Sequence, residues 1–153
     1  MEMRRVVVTG LGALTPIGND VEQYWQSLVN GVSGAALITN FDASQAKTQF
    51  ACEVKGFEAT KFFDRKEVRK YDKFSQYGIV AADQAVADCG VDLEKLDKER
   101  AGVIWASGIG GRICFQGERS AFVKGEGALR CSPFIMPKMM ADIWAGHISI
   151  RYD

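Results

Sequence analysis

A single histidine, four scattered cysteines, two glycine turns and one basic cluster are the groups through which this sequence could do chemistry. Their spacing excludes more than it admits. His147 stands alone, so neither a histidine-pair metal site nor a two-histidine mechanism can be assembled from this chain. Ile143 and Trp144 beside it favour a packed imidazole with one satisfied nitrogen over a ligand. Cys52, Cys89, Cys114 and Cys131 contain no C-x-x-C pair, so no zinc framework or redox dithiol is indicated. A catalytic thiolate needs a helix N-terminus or a basic partner, whereas Cys89 falls at a helix end whose dipole opposes it. None of the four reads as a nucleophile, and no catalytic residue, metal ligand or cofactor site is assigned.

The glycine turns are weighed the same way. Val7-Val8-Thr9-Gly10-Leu11-Gly12 puts a turn after a β-branched run, where a dinucleotide's pyrophosphate can sit on a helix N-terminus. The full pattern requires glycine at position 15, occupied by Thr15, and the short-chain reductase variant requires it at 14, occupied by Leu14. After Gly108-Ile109-Gly110-Gly111, Ile113 fills the third glycine's place, so a nucleotide-binding oxidoreductase is the weakest reading. These later glycines instead let backbone approach something closely. Lys66, Arg69 and Lys70 lie at i, i+3 and i+4 of a helix opening after Asp64, with Lys73 joining if that helix continues. Two readings remain open for them: a docking surface, or a solvated face partly neutralised by Glu67 and Asp72.

The elements that must position these groups follow from pattern. Arg5–Gly10 and Ala101–Ser107 read as strands buried on both faces, and Gln49–Val54 as a short strand. Asn19 or Asp20 caps a helix to about Asn30, Asp64 with Glu67 marks another start, and Asp72–Cys89 is a long helix stopped by Gly90. Its buried face is Phe74, Tyr77, Ala81, Ala85 and Cys89. A last helix is expected over Lys138–Tyr152. This alternation is the α/β signature, with parallel strands favoured by helical crossovers. Equal numbers of basic and acidic residues, 19 each, argue against a nucleic-acid coat, and 47% hydrophobic residues argue against disorder. No apolar run suits a signal peptide or membrane span, so a cytoplasmic protein is expected.

Taken together, these segments resemble the N-terminal part of the elongating β-ketoacyl-acyl-carrier-protein synthases (synthase II). The resemblance rests on Arg4-Arg5-Val6-Val7-Val8-Thr9-Gly10-Leu11-Gly12 with Thr15-Pro16-Ile17-Gly18-Asn19, and on Phe41-Asp42. It continues through Arg65-Lys66-Glu67 with Arg69-Lys70, Ser107-Gly108-Ile109-Gly110-Gly111, Ser132-Pro133-Phe134 with Pro137, and Ala145-Gly146-His147.

The resemblance implies an α/β, thiolase-like fold: residues 1–153 as the N-terminal half of a duplicated five-layered αβαβα architecture, the second half absent. It implies acyl transfer followed by decarboxylating Claisen condensation with malonyl-carrier in fatty acid elongation. In that family a cysteine at a buried helix N-terminus takes the acyl chain, and two histidines promote decarboxylation and hold the oxyanion. No cysteine here matches that nucleophile and His147 matches neither histidine, so the chain alone is expected to be inactive. By resemblance, Ile109 and Ile135 line the acyl pocket, Ile135 replacing an aromatic residue. Lys66, Arg69 and Lys70 dock acyl carrier protein, which turns the open choice above toward docking. Full-length members are homodimers. The alternative is a noncatalytic carrier-binding or dimerisation module.

Overall fold

The computed structural model describes residues 3–125 and 132–153. Its contacts group into two units, Met1–Phe57 with Val80–Gly90, and Glu58–Ile79 with Val91–Asp153.

In the first unit, Asp20 accepts from the Gln23 amide at 2.8 Å and starts α1, Val21–Val29, which Gly31 closes at φ 65°. Strands β1, Ala35–Leu37, and β2, Phe50–Cys52, pair antiparallel with Ala35 opposite Cys52. Beyond β2 the Glu53 carboxylate clasps the chain opposite: it accepts from the Thr39 hydroxyl at 2.6 Å and amide at 3.0 Å, and from Asn40. These bonds, the Thr39 hydroxyl first, lower the Glu53 pKa to about 2.

The expected strand over residues 5–10 belongs to no sheet among the described residues, and Val6 and Val8 are 90% and 78% exposed. The chain just beyond it lies on a helix instead. The Leu11 and Ala13 amides donate to Asp88 Oδ2 at 2.8 Å and Gln84 Oε1 at 3.0 Å. Four helical residues rise about 6 Å and two extended residues about 6.6 Å, so the two acceptors match alternate amides. Glycine makes the approach possible, because a Cβ on Gly12 would overlap the Ala81 carbonyl and one on Gly10 the Ala85 carbonyl.

In the second unit, α2 (Arg65–Lys70) leads to the start of α3 (Lys73–Cys89), followed by α4 (Arg112–Lys124), α5 (Ile135–Met139) and α6 (Ile143–Tyr152). Phe63, Ile79, Trp144 and Ile148 form its core. The expected buried face of α3 is half-buried throughout; its deepest residues are Ser75, Gln76, Ile79 and Val80. Gly78 explains part of this shift, since it admits Trp105 to within 2.5 Å of where a Cβ would stand. Residues 101–107 likewise form no ladder among the described residues: Trp105 turns inward while Ile104 is 101% exposed. The one described sheet is the antiparallel β1–β2 pair, not a parallel one. The helix expected over 138–152 is broken at Met140, where ψ is 129°. No described helix is long and apolar enough to cross a membrane.

Two glycines separate close approach from mere flexibility. Gly12→Ala should lower stability by about 1–3 kcal/mol in urea unfolding, because backbone must move. Gly117→Ala, inside α4 with open space around it, should raise stability by about 0.5–1 kcal/mol. A second check is acid titration followed by amide exchange. Glu53 has a depressed folded-state pKa, so its clasp contributes above the ordinary glutamate value and is lost as pH falls toward about 2. Protection at Thr39 and Asn40 should persist through mild acid and disappear there.

Candidate functional site

The basic cluster is built by a helix cap. Asp64 Oδ1 accepts from the Lys66 and Glu67 amides, both at 2.7 Å, and Glu67 Oε2 accepts from the Asp64 amide at 3.0 Å. This reciprocal box holds both carboxylates at the start of α2. Its hydrogen bonds, that of the Glu67 amide first, push the Asp64 carboxyl below its usual value. Lys66, Arg69 and Lys70 are exposed, and none forms an ion pair among the described residues. The helix ends at Tyr71, whose ψ is 131°, so Lys73 opens α3 and does not extend the cluster. Nor does Asp72 neutralise it. Asp72 is buried, and its carboxylate accepts from the Lys73 amide at 2.5 Å and the Cys114 amide at 3.2 Å.

Tyr71 fixes this face to α6. Its ring meets Phe63 at 5.6 Å, Trp144 at 5.4 Å and His147 at 5.1 Å, all edge-on. Burial raises the Tyr71 phenol pKa, with Glu67 adding to the effect. His147 also lies against Trp144, at 5.2 Å, and is half-buried. Burial first, then the charge of Lys70, hold its imidazole below the ordinary histidine value. It is thus a packed aromatic member of the cluster, as its apolar neighbours suggested.

The glycine loop behaves as its composition implied. Gly110 has φ 80° and donates to Ser107 Oγ at 3.0 Å; Gly111 donates to the Met139 carbonyl at 3.1 Å. A Cβ on either would overlap a carbonyl at the end of α5. The loop carrying Ile109 is thereby joined to the helix carrying Ile135. Ile109 is 70% exposed and Ile135 half-buried at the first turn of α5.

Sequence reasoning missed α4, and with it a cysteine near a helix N-terminus. Cys114 is the third residue of α4, in a groove of about 310 Å³ lined also by Asp72, Gln76 and Lys138. The dipole and Lys138 favour a thiolate there, yet burial, with Asp72 and Glu118, raises the thiol pKa. Cys89 Sγ donates to the Val86 carbonyl at 2.9 Å, and Cys52 is exposed on β2. Cys131, and Arg130 beside it, lie outside the described residues. Among the described residues no group of three or more His, Cys, Asp or Glu is placed to hold a metal ion.

The β-ketoacyl synthase N-terminal domain model matches residues 3–153. Among curated relatives, 3-oxoacyl-(acyl-carrier-protein) synthase 2 of Synechocystis sp. is 42% identical over 151 residues, 99% of this chain and 36% of the relative. The Vibrio harveyi enzyme of the same name is 43% identical over 150 residues, 98% of this chain and 36% of its own. The chain thus spans little more than a third of the relatives it matches. Two solved structures are also similar. The ishigamide ketosynthase/chain length factor superposes at TM-score 0.80 with 27% identity, covering 97% of this chain and 37% of that one. A type II PKS ketosynthase, bound to the hexaketide and in complex with its acyl-carrier protein, superposes at TM-score 0.73 with 26% identity, covering 95% and 38%. The architecture is therefore the thiolase-like α/β fold of ketosynthases, and the chain belongs to the β-ketoacyl synthase family, matching its N-terminal domain.

Proposed function

We propose that this chain is the N-terminal part of a 3-oxoacyl-carrier-protein synthase. It supplies the carrier-docking face and one wall of the acyl pocket, while the reactive cysteine and histidines lie outside these 153 residues. The observation that carries the reading is the match along almost the whole chain, above 40% identity, to relatives named for this activity. In the proposed reaction the cysteine thiolate first takes the acyl group from its carrier thioester and releases the carrier thiol. Malonyl-carrier then loses carbon dioxide, and the resulting carbanion attacks the acyl carbonyl and expels the cysteine thiolate. Stabilising that carbanion as an enolate needs fixed donors in a dry site. Cys114, the described cysteine near a helix N-terminus, has its thiol pKa raised by burial.

The contribution proposed for α2 is electrostatic steering. Three exposed cations, with no ion pair among the described residues and with the carboxylates of their helix held in its cap, offer an acidic carrier protein a complementary surface. Ile109 and Ile135 are proposed as pocket residues because the Gly110–Gly111 contact with α5 joins the segments that bear them. A homodimer is the proposed assembly. Exposed apolar side chains on unladdered backbone, at Val6, Val8 and Ile104, favour association as a second role.

Malonyl-carrier condensation by the isolated chain, followed by mass spectrometry, should yield no 3-oxoacyl product and no acylated thiol. Either species would overturn the division of labour. Carrier binding should weaken with salt and fall at least about tenfold in Lys66→Glu with Arg69→Glu. Binding indifferent to both would remove α2 as the docking face.

A further inference from the structure

We propose that His147 links proton uptake to docking on α2: an acidic partner seated over Lys70 draws a proton onto the imidazole, so docking tightens as pH falls through the histidine range. The inference rests on the docking reading above and adds a regulatory property to the same face.

The geometry is a short relay. Lys70 is the last residue of α2 and Tyr71 follows it directly, leaving the helix with its ring edge-on to His147 at 5.1 Å. His147 also packs against Trp144, which is 1% exposed and whose indole nitrogen has no hydrogen-bond partner among the described residues. The imidazole is therefore held in place by packed rings at the end of the basic helix. Lys70 acts on the imidazole itself, and the charges that act on the adjoining Tyr71 phenol are Glu67 and Asp64 of α2 and its cap and Arg151, one turn beyond His147 along α6. Asp64 and Glu67 are tied to each other's backbone in the capping box. The nearby charge that a docked partner can neutralise is Lys70.

The sign follows from that arrangement. In the free chain, burial and the Lys70 charge both oppose the imidazolium. Carboxylates placed over Lys70 offset its repulsion, so the bound state takes up a proton more readily than the free state. By linkage, whatever docking does to proton affinity, protonation does to docking affinity by the same factor.

His147 is the chain's one histidine, so a single imidazole resonance in NMR reports its titration directly. Two arms are expected to agree. Lys70→Glu in the unliganded chain should raise the titration midpoint. Acyl carrier protein at low salt should raise it in the unsubstituted chain and bind about threefold tighter near pH 5.5 than near pH 7.5, a slope that His147→Gln removes. Circular dichroism checks that each variant is folded, and His147→Asn repeats the test should the glutamine variant be unfolded. A midpoint unmoved by Lys70→Glu overturns the coupling. Docking that depends on salt and on α2 but is flat with pH overturns it while sparing the docking reading. No α2-dependent binding at any pH overturns both.

Discussion

Tyr71 and Asp72, the two residues between α2 and α3, hold together the part of the molecule on which every functional expectation falls. The extended backbone at Tyr71 ends one helix and sends its ring into Phe63, Trp144 and His147. Asp72 then buries its carboxylate against the first amide of α3 and the third of α4. Such a carboxylate is tolerable away from water because it accepts hydrogen bonds at helix N-termini, where the dipole favours negative charge. The basic helix, the aromatic cluster and the helix after the glycine loop therefore share one joint. A change at either residue would reach all three.

This joint also separates charges. Glu67 is engaged by the cap of α2 and Asp72 by the amides of α3 and α4, and neither forms an ion pair with Lys66, Arg69 or Lys70 among the described residues. A count of charges along the chain balances, while the surface at the end of α2 does not. Electrostatic steering depends on such local imbalance rather than on net charge.

Much of this was legible in sequence wherever the determining contacts are local. The Asp20 and Asp64 caps, the stop of α3 at Gly90 and the short strand at Phe50–Cys52 follow from residues within a few positions of one another. The i, i+3, i+4 spacing placed Lys66, Arg69 and Lys70 together on α2, and the glycines at 108–111 signalled close backbone approach. What failed was set by distant partners. Helix α4 opens on Gly111, which has no capping side chain, and is capped by Asp72 from 42 positions away. The valine run at 6–8 has the composition of a buried strand, but burial requires neighbours on both sides, and among the described residues the alternate-amide acceptors begin at Leu11, on α3. Family resemblance, not periodicity, singled out Ile109 and Ile135.

The central proposal is that the end of α2 receives an acidic carrier protein. It is tested most directly by titrating unlabelled acyl carrier protein into the isotope-labelled chain and mapping amide shift changes by residue. Changes concentrated on Arg65–Tyr71 and on His147, and suppressed by added salt, are the predicted result. Changes confined to the 5–10 or 101–107 segments, with α2 silent, would contradict it.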